Sequence, residues 1–177
     1  MEGLLNEICA SPSYFFENPD TIKNVSSVRF ALETALQDLQ NKGRQILFPS
    51  DFTEGKKGIS INGLIWMGDP EFMLQQIHEK LNAGFRCIKL KIGSLDFEKE
   101  LEILHSIREK YDAVQITLRV DANGAFQPDE AKEKLQRLAQ FDLHSIEQPI
   151  AAGQWKEMAE ICKNSPVPVA LDEELIG

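Results

Sequence analysis

The sequence predicts an α/β protein: a parallel sheet of about five strands, the first part of a (β/α) barrel of the TIM type, behind a leading helical segment. From Ile59 onward, strand-like apolar runs alternate with amphipathic helical stretches in units of 25 to 30 residues, and such alternation builds parallel sheets. Four successive strand-like runs end on charged residues, Lys91, Asp121, Glu147 and Asp172. A barrel draws its functional groups from the C-terminal ends of several strands, whereas an open doubly wound sheet gathers them at one switch point. No glycine-rich phosphate fingerprint follows these strands.

Residues 1–58 read as helical and irregular. Ser26 or Ser27 is positioned to cap a helix whose Val28, Leu32, Ala35, Leu36 and Leu39 recur at helical spacing, and Gly43 ends it. Ser11-Pro12 and Asn18-Pro19-Asp20 are turn material, as is Gly55-Lys56-Lys57-Gly58. Residues 59–177 carry the alternating pattern. Ile59 to Met67 is the first strand, and Asp69-Pro70 opens a helix by cap and first-turn proline. Met73, Ile77 and Leu81 line that helix and Gly84 closes it. Cys87 to Ile92 is the second strand, followed by a helix with Phe97, Leu101, Leu104 and Ile107 inward. Gln115 to Val120 is the third strand, and Pro128 starts a helix carrying Ala131, Leu135 and Leu138. His144 to Glu147 is the fourth strand, with Trp155, Met158, Ala159 and Cys162 on the helix after it; Val167 to Leu171 is the fifth.

With 177 residues, 42% of them hydrophobic, the chain is long enough for one ordinary globular domain. A net charge of −9 argues against nucleic acid as a partner, since that function favours a basic footprint. No apolar run approaches the ~20 residues needed to cross a bilayer, and no basic-then-apolar leader is visible. Cys9, Cys87 and Cys162 are odd in number and lack metal-type spacing. Cys87 and Cys162 read as small core residues, and reduced thiols point to the cytoplasm. His78, His105 and His144 form no ligand cluster and read as surface or boundary residues.

Lys89 and Lys91 stand two apart on a strand and so share a face. Ile88, Leu90 and Ile92 take the opposite face, which in a barrel packs on the helices and leaves the lysines inward. Two ammonium groups so close are expected to depress each other's pKa, and a lysine brought toward neutrality serves as a general base. Asp121, Glu147 and Asp172 offer only hard oxygen donors, which selects Mg²⁺, with Mn²⁺ as the alternative, over zinc. Any one acid at a strand end could be a cap or loop charge; three in successive units point to a metal site. Asn123 belongs either to a plain turn or to that site's surroundings, and Arg119 is expected in a structural ion pair. A metal opposite a lysine suits removal of a proton next to a carboxylate, because the metal bears the second negative charge that develops.

These residues resemble the enolase superfamily, in its branch with a K-x-K motif on the second barrel strand. The resemblance rests on Ile88-Lys89-Leu90-Lys91, Arg119 to Gly124, Ile146-Glu147-Gln148-Pro149 and Ala170-Leu171-Asp172-Glu173. Asn62-Gly63-Leu64-Ile65, the run His144 to Trp155, Ala170 to Gly177 and the helix Val28 to Glu33 look more finely like the o-succinylbenzoate synthase family of menaquinone biosynthesis. The resemblance implies that Lys91 is the proton-abstracting base and Lys89 its electrostatic companion. It implies that Asp121, Glu147 and Asp172 bind Mg²⁺, which holds a small-molecule carboxylate substrate, and that 1–58 is part of a capping domain. The implied reaction is syn dehydration of a succinyl-hydroxycyclohexadiene carboxylate to o-succinylbenzoate.

The same motifs also resemble dipeptide epimerases and N-acylamino-acid racemases, which likewise use lysines on the second and a later strand, one for each face of the α-carbon. The region of that later strand is where the two kinds of enzyme are expected to differ. A reading of another class is an assembly or interaction module, since an exposed sheet face favours homo-oligomerisation or completion by a partner; a doubly wound binding domain would show no Mg²⁺ response. Enzymes of the resembled kind have eight barrel strands, so the sequence reads as a fragment. Residues 1–177 alone are expected to be inactive, and robust turnover of the dehydration substrate by a homogeneous sample would overturn that expectation.

Overall fold

The computed structural model describes residues 2–176; Met1 and Gly177, the last residue of the final motif above, lie outside it. The chain forms two compact units, one running up to Ser60 and the other spanning Ile61–Leu175.

The first unit contains α1 (Glu2–Ala10), α2 (Pro12–Glu17), a 3₁₀ turn (Pro19–Ile22) and α3 (Ser26–Gln40). Its core is small: Ile8, Phe15 and Ile22, with Leu4, Val25, Val28 and Leu32 packed against them. The expected stripe on α3 is therefore only half used. No residue of α3 is fully buried and Leu39 is 73% exposed, because only the N-terminal half of the helix has a core to meet. Ser26 is already inside the helix; Val25 holds the cap position, with no side-chain cap bond. Gly43 ends this segment as expected, at φ +69 with its amide bonded to the Asp38 carbonyl, a conformation that suits glycine.

The second unit alternates β1 (Gly63–Ile65), α4 (Pro70–Asn82), β2 (Cys87–Lys91), α5 (Phe97–Lys110), β3 (Thr117–Asp121), α6 (Pro128–Leu138), β4 (Leu143–Glu147), α7 (Trp155–Asn164) and β5 (Val169–Ala170). All five strands are parallel and lie side by side in chain order. A doubly wound sheet reverses its order at a switch point; this one never does, which is the order of a barrel. The outer strands are shorter than the sequence predicts, three residues for β1 and two for β5. Each has a ladder partner on one side only, so the flanking residues lack the bonds that would extend them.

The strands bury one face under the helices. Ile88, Leu90, Leu118, Val120 and Ile146 meet Met73, Ile77, Leu104, Ile107, Ala131, Leu135 and Leu138 in one core. The helix starts follow from their caps: Asp69 accepts the Phe72 amide at 3.0 Å ahead of Pro70, and Asp96 accepts the Glu98 amide at 3.0 Å. Gly84, at φ +91, closes α4. On α7 the structure departs from the predicted face. Met158 is buried and Ile161 partly so, while Trp155 is 63% exposed and Ala159 and Cys162 face outward. The two-residue β5 leaves α7 little sheet to cover. Cys162 is thus not a core residue, and Cys87 is half-buried. No helix among the described residues is long and apolar enough to cross a membrane.

Leu104 is fully buried, so Leu104→Ala is expected to cost about 2–5 kcal/mol in urea denaturation. Asp69→Ala removes only a cap and should cost about 1 kcal/mol. Equal losses would contradict the assignment of α5 to the core.

Candidate functional site

Strand alternation places the site. With Ile88 and Leu90 turned under the helices, Lys89 and Lys91 project from the other face of β2. The parallel register sets Lys91 beside Asp121 on β3, and Asp121 beside Glu147 on β4. Four predicted site residues are thereby brought together at the C-terminal rim. Lys91 Nζ donates to Asp121 Oδ2 at 2.6 Å, and Lys89 Nζ reaches the same oxygen at 3.0 Å. Lys89 also donates to both Glu147 oxygens at 2.7 Å. Asp121 is 0% exposed, and its Oδ1 accepts the Asn123 backbone amide at 3.0 Å.

Burial alone would raise the Asp121 pKa, but the hydrogen bonds from Lys91, Lys89 and the Asn123 amide outweigh it and hold the carboxyl below the usual carboxylate range. For Lys89, burial works to lower the pKa, and the bonds to Glu147 and Asp121 overcome it and hold the ammonium above its ordinary value. This corrects the expectation that the lysine pair depresses itself: for Lys89 the nearby carboxylates prevail.

Asn123 is both a turn residue and part of the site. It sits at φ +44, accepts Lys91 Nζ at 2.7 Å, and donates to Glu173 Oε1 at 3.1 Å. Asp172 follows β5, two residues past Ala170, which is in register with Glu147. Its side chain is exposed and does not join the cluster. Among the described residues no three His, Cys, Asp or Glu side chains stand close enough together to hold an ion. Arg119 makes no ion pair among the described residues, contrary to expectation, and its Nε is buried without a hydrogen-bond partner. Its register neighbours are Lys89 and Ser145, neither of which supplies a negative charge. The three histidines are exposed.

Two supporting residues escape the sequence reading. Gln148, next to Glu147, is 0% exposed and accepts the Asp172 amide at 3.1 Å. Glu100, on α5, is 3% exposed, and its Oε1 accepts the Gly93 amide at 2.6 Å and the Leu95 amide at 3.2 Å. It therefore pins the loop that follows Lys91. A signal was present: Glu100 stands at helical spacing between Phe97 and Leu104, an acid within an apolar stripe.

Comparison with known proteins places this geometry. The model of the enolase C-terminal domain-like family matches residues 73–177, more than half of the chain. The chain belongs to the enolase C-terminal domain-like family. The o-succinylbenzoate synthase of Desulfotalea psychrophila is 59% identical over 151 residues, covering 85% of this chain and 41% of that protein. A hydrophobic dipeptide epimerase of Roseobacter litoralis is 26% identical, over 81% of this chain and 42% of its own length. This enolase-family chain thus spans about two fifths of the curated relatives it matches.

Among solved structures, MenC from D. psychrophila LSv54 is similar at 58% identity with a TM-score of 0.68, covering 76% of this chain and 37% of that one. The o-succinylbenzoate synthase of Thermosynechococcus elongatus BP-1, a complex with Mg in the active site, is 25% identical with a TM-score of 0.59, covering 66% and 37%.

Burial holds the Glu100 pKa above the ordinary carboxyl value, against the lowering effect of the Gly93, Leu95 and Ser94 amides. A raised folded-state pKa means the native state binds the extra proton, so stability falls as pH rises from the unfolded value of about 4.3 through the raised one. Glu100→Gln keeps an acceptor for the loop amides and removes this titration. The stability of the variant relative to the parent is expected to increase between pH 4 and pH 7.5 in urea denaturation. A pH-independent difference would contradict the shift.

Proposed function

We propose that the protein carrying this chain is an o-succinylbenzoate synthase that eliminates water from a succinyl-hydroxycyclohexadiene carboxylate, with Lys91 removing the proton next to the carboxylate. One observation carries the choice: 59% identity to a synthase, against 26% to the dipeptide epimerase. Epimerisation of dipeptides is the runner-up, supported by that weaker likeness. We read residues 1–58 as part of a capping domain and 59–177 as the N-terminal part of the barrel. The three cysteines are free, which supports a reducing, cytoplasmic setting.

The donor set fits a hard divalent cation. Asp121 and Glu147 already share one cation, the Lys89 ammonium, and all candidate donors are oxygens. Asp121, Glu147 and Asp172 would hold Mg²⁺ or Mn²⁺. When bound, the metal supplies positive charge facing the second negative charge that develops on the substrate carboxylate.

The remaining work falls to the chain's own side chains. Lys91, held as a donor to Asp121 and Asn123, must first release a proton and exchange the Asp121 contact for substrate. Its free amine then takes the α-proton, and the C–H electron pair moves toward the carboxylate. The ammonium so formed can return a proton to the departing hydroxyl on the same face, which makes the elimination syn and releases water. Lys89, beside it on the strand, supplies a fixed positive charge, and the Asn123 amide orients Lys91.

Lys91→Ala is expected to lower turnover of the cyclohexadiene substrate by about 10²–10⁴-fold, the range for loss of a general base, with Mn²⁺ binding retained. The assay uses the complete reading frame that contains this chain. Unchanged turnover would overturn the role of Lys91; epimerisation of dipeptides without dehydration would favour the runner-up.

A further inference from the structure

We infer that Gln148 is the positioning residue that sets the spacing of Asp121, Glu147 and Asp172, an inference that rests on reading those three acids as the metal ligands. Gln148 is bonded to the loops that follow β3 and β4 and to the end of β5. Its backbone amide donates to the Ala170 carbonyl on β5 at 2.9 Å, and its carbonyl accepts the Gly124 amide, three residues after Asp121, at 2.7 Å. Its side-chain Oε1 accepts the amides of Asp172 at 3.1 Å and Glu174 at 3.4 Å, while Nε2 donates to the Ile150 carbonyl at 3.0 Å. It is also the immediate neighbour of Glu147.

The hydrogen bonds at this position use both ends of an amide. Two N–H groups converge on one side-chain atom and a carbonyl faces the other, so the side chain accepts from the segment after β5 and donates to the loop after β4. Glutamate lacks the donor, and methionine of similar length lacks both functions. The backbone is held at φ +41, a conformation that costs a non-glycine residue free energy and persists only where its surroundings fix it.

Those surroundings are tight. A Cβ on Gly124, itself at φ +73, would lie 2.8 Å from the Ala151 Cα, so the loops after β3 and β4 touch beside Gln148. The buried Glu174 accepts the Gly153 amide at 3.2 Å, which ties the segment after β5 back to the loop after β4. The Asp172 side chain is free at the rim, but its backbone is not, and Gln148 is what fixes it.

The test uses the complete reading frame that contains this chain, with Mn²⁺ as the probe followed by electron paramagnetic resonance and amide hydrogen exchange read by NMR. Gln148→Met is expected to raise the Mn²⁺ Kd tenfold or more, in line with the loss of residues that orient metal ligands, and to remove exchange protection at Asp172 and Glu174. Leu135→Ala, a core change on α6, should lower Tm while leaving both readouts at the parent's values, which separates positioning from general destabilisation. Gln148→Glu keeps the acceptor and should keep the protection at Asp172 and Glu174, so it decides the matter if the methionine variant does not fold. Parent-like Kd and protection in Gln148→Met, or lost protection in a folded Gln148→Glu, would overturn the inference. If the complete parent protein itself fails to bind Mn²⁺, the metal reading falls, while the exchange data still decide whether Gln148 fixes Asp172.

Discussion

A carboxylate with no exposure to water is the constraint on which this rim is organised. An unpaired ionised Asp121 would be prohibitively costly in the sheet interior, so its surroundings must carry compensating positive charge. The period of the β-strand meets that need. Lys89 and Lys91 lie on one face, in register with β3, and both reach Asp121 Oδ2. Lys89 then has capacity left for Glu147 on the next strand. Two lysines and two acids from three adjacent strands become one hydrogen-bonded unit because the strands are parallel and the register is level.

The rim is held by loops whose backbone is unusual where the chemistry is. Asn123 and Gln148 both adopt positive φ without being glycine, and each follows a charged strand-end residue within two positions. Sparsely populated backbone conformations gather at functional sites because the surroundings there over-determine them. Here the determining contacts are visible. The Asn123 amide caps Asp121 and its side chain links Lys91 to Glu173, while Gln148 spans from the loop after β3 to the segment after β5. Glu100 does the same for the loop after β2. Each strand end from β2 to β5 is fixed by a side chain from its own or a neighbouring segment.

What could be read in advance follows from which interactions are local. Alternation exposes the inward lysines of β2, and Asp69-Pro70 and Gly84 mark α4 at both ends, because strand period, caps and left-handed turns are written within a few residues. The face of α7 could not be read this way. Trp155, Met158, Ala159 and Cys162 have helical spacing, yet the short β5 leaves only Met158 fully covered. α3 fails for the same reason, since a stripe is buried only as far as there is a core to meet it. At the site, the acids and lysines were visible from type and spacing, whereas the sign of the Lys89 shift depended on contacts to residues 32 and 58 positions away. Arg119 was misread because its register neighbours are Lys89 and Ser145, and sequence distance carries no sign of that.

Charge balance connects this arrangement to the proposed chemistry. The two ammonium groups balance Asp121 and Glu147, and Asp172, exposed just beyond β5, adds a negative charge that neither lysine contacts. A divalent cation there would convert that surplus to a single positive charge, and a substrate carboxylate would then restore neutrality. A carboxylate arriving first would meet a negative rim instead. On the proposed reading, this distribution of charge favours cation before substrate. Asp121 alone contacts both lysines and Lys89 also takes up Glu147, which leaves Asp172 at the exposed edge, where a cation would meet it.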